Sequence, residues 1–168
     1  MSNDRPTLFV RALIAFLALP GMVAGVIPFL ASRFDPWRQD GFPFGMAMIS
    51  FGLLILLWCV RDFYVAGTGT LAPWSPPRRL VVVGLYRIVR NPMYVGVVFI
   101  ITGWCIATGS PILLAYVIIV AVMFNRRVVL NEEPWLQRKF ADDWAIYSAA
   151  VPRWRPRLTP WFGDSATI

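Results

Sequence analysis

The chain has 168 residues, 58% of them hydrophobic and only 15% charged, and 16 Lys and Arg against 9 Asp and Glu give it a net charge of +7. A composition this apolar is that of an integral membrane protein, and with about 20 residues needed per bilayer crossing it leaves no room for a separate soluble domain. The basic excess lies outside the apolar runs, which suits anionic lipid headgroups rather than nucleic acid, while the lack of histidine removes the usual general base near neutral pH.

Residues 8–32 form an apolar run broken by Pro20-Gly21 and Pro28, read as a kinked first span. Its leader carries one arginine and one aspartate instead of a basic n-region, so a span is expected here rather than a cleaved signal peptide. Residues 33–41 are a polar link with Trp37 at interfacial depth. Residues 43–64 form the second span, with Arg61 and Asp62 in its last turn. A glycine-rich stretch holding Gly67 and Gly69 follows, then Ser75-Pro76-Pro77 and the pair Arg78 and Arg79. Residues 80–83 are apolar but too short to cross, and read as an interfacial strand or turn. The two cysteines, Cys59 and Cys105, both lie inside apolar runs, which argues against disulfides and ordinary zinc sites.

Arg87 and Arg90 lie three apart, which on a helical turn puts both on one face. Asn91-Pro92 reads as an N-cap and first helical residue. The third span, residues 92–108, is at roughly 17 residues barely long enough for the hydrocarbon. Residues 108–111 make an uncharged hairpin in which Ser110 and Pro111 again supply a cap and a helix start. The fourth span, about residues 111–130, carries Arg126 and Arg127 near its end. Pro134 biases Glu133 away from helix, so a bend is expected there. Apolar and aromatic residues at 135, 136, 140, 144 and 147 then predict an amphipathic helix lying along the membrane surface. Basic residues gather in the 61–90 link and the tail, which places both termini on the cytoplasmic side. The expected fold is an all-α, polytopic bundle of about four transmembrane helices plus a C-terminal interfacial helix, one domain over residues 1–168.

This topology draws three polar groups to one side of the membrane: the glycines at 67 and 69, the segment from Tyr86 to Tyr94, and the pair Glu132 and Glu133. Arginines offer a forked grip on a carboxylate, glycines let backbone approach a ligand, and paired carboxylates hold hydroxyls or an ammonium. Together they suit a small zwitterionic cofactor. Each piece also has a plain structural reading. The glycines end a helix, the arginines snorkel, the glutamates complement a helix dipole, and the tyrosines are interfacial aromatics. Their coincidence at one membrane face favours a site.

Gly-Leu-Tyr-Arg-Ile-Val-Arg-Asn-Pro-Met-Tyr-Val-Gly from Gly84 to Gly96, Gly103-Trp104, Ser110-Pro111 and Glu132-Glu133-Pro134 together resemble one family. It is that of the integral membrane methyltransferases, which includes isoprenylcysteine carboxyl methyltransferase and the phospholipid N-methyltransferases. The resemblance covers roughly residues 60–156. It implies S-adenosylmethionine as cofactor, bound on the cytosolic side by Gly67 and Gly69, by Arg90, Asn91, Pro92, Tyr94 and Gly96, and by Glu132 and Glu133; Tyr86 and Arg87, beside that motif, are further cofactor-binding candidates. Arg90, Tyr94 and Glu133 are the implied catalytic residues, and no metal is implied. Asn-Pro-Met-Tyr-x-Gly and Glu-Glu-Pro are similar to the phospholipid branch. Phe140, Trp144, Tyr147, Val151 and Pro152 resemble the Phe-Gly-x-x-Tyr-x-x-Tyr and Val-Pro pattern of the isoprenylcysteine branch, with Ala141 and Trp144 as departures.

Methyl transfer from a sulfonium needs alignment and exclusion of water more than acid–base work, which agrees with a chain that lacks histidine. On this resemblance Arg87 or Arg90 binds the methionine carboxylate, Glu132 or Glu133 holds a cofactor ammonium or ribose, and a lipid-borne or hydrophobic acceptor enters sideways from the bilayer. A carboxylate acceptor needs no base; a phospholipid amine must lose a proton. Asp142 and Asp143 read as solvated tail charges. Two further readings stay open: an NADPH-dependent enzyme like the sterol reductases, whose helical core is similar, and a non-enzymatic lipid-binding membrane protein.

Overall fold

The computed structural model describes residues 20–65 and 80–163, and every regular element among them is helical. Helix α1 (Met22–Phe34) opens with a π-turn over Met22–Val26. Helix α2 spans Phe44–Val65, a 3₁₀ turn covers Gly84–Arg87, and α3 spans Pro92–Thr108. Helix α4 (Pro111–Arg127) passes through a π-turn (Val128–Glu132) into α5 (Glu133–Ala150). The glycine-rich stretch with Gly67 and Gly69, and the first part of the expected first span, lie outside the described residues.

Helices α2 and α3 pack antiparallel, and glycines set how closely. A Cβ on Gly45 would fall 2.4 Å from the Gly103 carbonyl oxygen and the Ala107 nitrogen, and one on Gly52 would fall 2.6 Å from the Gly96 oxygen. Backbone therefore meets backbone at both ends of the seam, the arrangement small residues permit between apolar helices. Leu56, Val97, Ile100, Ile101 and Val120 fill the centre with Ala24 of α1. The opposite faces stay apolar: Phe51, Leu54, Leu57 and Trp58 of α2 and Leu114, Ile118 and Met123 of α4 are exposed. The helical runs Phe44–Asp62 and Pro111–Ala150 are long and apolar enough to cross a bilayer, while Met22–Phe34 and Pro92–Thr108 are apolar but shorter.

At the end of the bundle where α1 stops and α4 starts, Asp35 acts as a latch. Its carboxylate accepts hydrogen bonds from the Ser110 hydroxyl, the Trp37 N–H at 2.9 Å and the Ile112 N–H at 3.3 Å. Ser110 in turn accepts the Leu113 N–H at 3.2 Å, the N-cap expected of Ser110-Pro111. Burial opposes ionisation of Asp35, but the Ser110 hydroxyl and the two N–H groups outweigh it and hold the carboxyl below its ordinary value.

Four local expectations are corrected. Residues 80–83 are neither strand nor regular turn but irregular chain, extended at Val83, leading into the 3₁₀ turn. That turn stops at Arg87, as such short turns do, so Arg87 and Arg90 do not share a helical face. Glu133 stays helical, with φ −63° and ψ −44°, because the widened π-turn before it accommodates Pro134 in the first turn of α5. Finally, the apolar face of α5 turns inward as well as lying at the surface: Trp144 and Tyr147 are buried with Val82 and Val151, against Leu80 and Trp161. Within α5 the chain kinks at Ala141, whose φ +31° and ψ −101° are non-helical, a positive φ that suits the glycine of the pattern from which it departs.

The glycine seam predicts a graded series. Gly45→Ala and Gly52→Ala should each cost roughly 1–3 kcal/mol by forcing the helices apart, whereas Gly25→Ala, whose Cβ would meet nothing within 4 Å, should be neutral or slightly stabilising. Equal effects at all three sites in detergent-solubilised unfolding would contradict close α2–α3 packing. The Asp35 latch adds a pH signature. Because the folded-state pKa is depressed, its stabilisation is present above the unfolded value and is lost as pH falls through the folded one. Thermal unfolding measured between about pH 6 and pH 3 should therefore show a steeper acid loss in the wild type than in Asp35→Asn.

Candidate active site

The end of the bundle opposite Asp35 gathers the 3₁₀ turn, the start of α3, the π-turn and the chain after α5. Gly84 enters the turn at φ +51°, and the Asp62 carboxylate lies where a side chain at residue 84 would be. Asp62 is buried, and its Oδ2 has no hydrogen-bond partner among the described residues. From this turn the arginines diverge. Arg87 donates from Nε to the Val82 carbonyl at 3.2 Å and stacks over Phe162 at 4.8 Å. Arg90 instead points to Glu133, donating from Nη1 to Oε1 at 2.8 Å, with its guanidinium 5.5 Å from the Trp144 ring centre.

Glu133 is held from two sides. Arg153 donates from Nε to Oε1 at 2.7 Å and from Nη2 to Oε2 at 2.5 Å, a forked grip added to the single bond from Arg90. The side chains of Arg90 and Glu133 are only 13% and 16% exposed, so this carboxylate sits largely out of water with two cations on it. Arg90 Nε is buried and has no partner among the described residues. Burial lowers the Arg90 pKa from its ordinary value, with Glu133 pulling it back up, and the group remains a cation. Its hydrogen bond to Glu133 raises Arg153.

The neighbouring glutamate has its own partners. Glu132 Oε1 accepts the Tyr94 hydroxyl at 2.5 Å and Arg127 Nε at 2.8 Å, and about a third of its side chain stays exposed. The Tyr94 ring lies 4.4 Å from Phe124 and 6.5 Å from Trp154, an aromatic wall beside the carboxylate. The π-turn lets the two consecutive glutamates serve different cations: Glu132 ends it, and Glu133 begins α5.

Asn91 occupies the N-cap position and Pro92 the first turn, but the Asn91 side chain makes no cap bond. Its amide donates instead to the Arg153 carbonyl at 3.2 Å, which corrects the capping role expected of it. The chain after α5 is strapped along the 87–91 segment by the Arg90 N–H to the Pro152 carbonyl at 3.0 Å, the Arg157 N–H to Ile88 at 3.0 Å and the Trp161 N–H to Arg87 at 2.9 Å. Tyr147 closes the floor, donating its hydroxyl to the Tyr86 carbonyl at 2.8 Å. Burial pushes its phenol pKa up, so it stays a donor.

Of the residues singled out from the sequence, Arg90 meets Glu133 and Tyr94 meets Glu132, two neighbouring groups joined by the adjacency of the glutamates, with Asn91 and Pro92 at the turn between Arg90 and Tyr94. Arg87 is turned away, Tyr86 contributes its carbonyl to Tyr147, and Gly67 and Gly69 lie outside the described residues. Arg127 and Arg153 were missed as partners. The signals were faint: Arg127 lies five residues before Glu132, and Arg153 directly follows the Val151-Pro152 pair.

Chemically, the cluster offers a buried N–H donor for a carboxylate, a partly open carboxylate for a hydroxyl or ammonium, and aromatic rings for a planar or cationic group. Removing Glu133 leaves two arginines facing each other, so Glu133→Ala should lose roughly 2–3 kcal/mol of unfolding free energy. Glu132→Ala, at a wetter site, should lose less than about 1 kcal/mol. Chemical denaturation in detergent checks the order, and a larger loss at Glu132 would contradict it.

Residues 42–143 match the phospholipid methyltransferase family. An uncharacterized protein of Haemophilus influenzae is 31% identical over 62 residues, covering 37% of this chain and 98% of that protein. No solved structure matches the chain.

Proposed function

The chain belongs to the phospholipid methyltransferase family, and from that premise we propose that it is an S-adenosylmethionine-dependent methyltransferase acting on a lipid-borne or hydrophobic acceptor. In this reading four helices cross the bilayer, both termini are cytoplasmic, and α5 with the strap after it forms the cytosolic face of the site. The contact between Arg90 and Glu133, 43 residues apart in sequence, carries the reading, because it joins the Arg-Asn-Pro and Glu-Glu elements.

The residues present fit the cofactor. Arg90 is the better placed of the two arginines for the methionine carboxylate, since Arg87 is already bonded to Val82 while Arg90 Nε is buried without a partner among the described residues. Glu132, with its exposed edge, would take a ribose hydroxyl or the ammonium. When bound, S-adenosylmethionine supplies a methyl group on a sulfonium whose leaving group is already good. The chain's part is to orient and to exclude water. Tyr94, Phe124 and Trp154 supply apolar walls, and the Tyr94 hydroxyl is held by Glu132, which fixes the ring. Both glutamates are engaged by cations, so proton removal from an acceptor is not their primary task. A carboxylate acceptor would react without a base, and a phospholipid amine would have to arrive neutral.

Incubating purified protein and a lipid extract with methyl-labelled S-adenosylmethionine tests the proposal. Label should enter the lipid phase, and Arg90→Ala should reduce the rate by about a hundredfold or more. Mild alkali then separates the acceptor classes, since a methyl ester releases the label and an N-methyl group retains it. NADPH binding without S-adenosylmethionine binding would overturn the proposal in favour of a reductase.

A further inference from the structure

We infer that Arg153, which lies beyond the 42–143 segment matched to the family, is a positioning residue of the methyl-donor site: it satisfies Glu133 so that Arg90 keeps a buried N–H edge for the donor's carboxylate. The inference rests on the cofactor reading above.

One carboxylate carries one negative charge. Paired with Arg90 alone, Glu133 would neutralise it and, using both oxygens, would engage the whole guanidinium edge. The forked grip of Arg153 prevents this: Oε2 goes to Arg153, Oε1 is shared, and Arg90 makes a single bond from Nη1. The triad keeps one net positive charge, and Arg90 Nε is left buried and without a partner among the described residues, an arrangement that costs free energy unless an acceptor fills it. An anionic group meets both conditions.

Arg153 is fixed for this task by backbone. Its carbonyl accepts the Asn91 amide, the preceding carbonyl accepts the Arg90 N–H, and Arg157 N–H bonds Ile88 on the far side. Trp154 is anchored separately, its Nε1 donating to Asn125 Oδ1 at 2.9 Å. The strap thus brings the Arg153 guanidinium to Glu133 and joins the same residue to the start of α3. A lysine here would keep the charge but lose the fork.

Titration calorimetry of S-adenosylmethionine into detergent-purified wild type, Arg153→Lys and Arg153→Ala, with thermal unfolding alongside, tests the inference. Affinity should fall about tenfold in Arg153→Lys and about a hundredfold in Arg153→Ala, with the number of sites per folded chain unchanged. A merely structural role would do the reverse, lowering the number of sites and leaving the affinity alone, and that result overturns the inference. So do affinities within twofold of the wild type in both variants, while the cofactor reading stands. Should Arg153→Ala fail to fold, Arg153→Lys decides by the same criterion. Absence of binding by the folded wild type overturns the cofactor reading and this inference with it.

Discussion

A carboxylate removed from water at the rim of an apolar bundle must be paired, and the site end of this molecule is organised around that requirement. Glu133 arrives from the junction between α4 and α5, Arg90 from the turn before α3, and Arg153 from the strap after α5. Three segments far apart in sequence are tied by one group that none of them can leave unpaired without cost. The backbone bonds of the strap then complete what the charges begin, so that the turn, the helix start and the tail behave as one unit.

The remainder of the bundle makes this meeting possible. The glycine seam holds α2 against α3 with backbone in contact, and the latch at Asp35 anchors the far end where α1, α3 and α4 change direction. With the helices fixed at both ends, Glu133 is presented on a stiff frame, and the turn and strap that carry Arg90 and Arg153 are tied down against it. Asp62, buried beneath Gly84, adds another carboxylate at the base of the turn, this one with an oxygen that no group among the described residues satisfies.

Apolar length and proline position made the helices legible in the sequence. Residues 92–108 were expected as a helix from Pro92 to the glycine after Thr108, and the structure has those bounds, because Pro fixes the start and Gly109 at φ +57° fixes the end. Ser110 as a cap was equally readable, since its chemistry is local. The features that escaped reading depend on partners distant in sequence. Asn91 looks like a cap, yet its oxygen caps no N–H and its NH2 group instead reaches the distant Arg153 carbonyl, and Arg153 itself is one of several tail arginines until the strap folds back. The inward packing of Trp144 and Tyr147 was likewise hidden, because spacing reveals that a helix has an apolar face but not what covers it.

The π-turn at Val128–Glu132 carries an evolutionary consequence. Its wider winding holds one residue more than an α-helical turn would, and each residue in a helix rotates the chain beyond it by about 100°. Loss of a single codon in this stretch would let the turn relax into ordinary helix and swing the downstream glutamate off its arginines, so insertions and deletions here should be far rarer among descendants of this gene than simple exchanges of one apolar side chain for another.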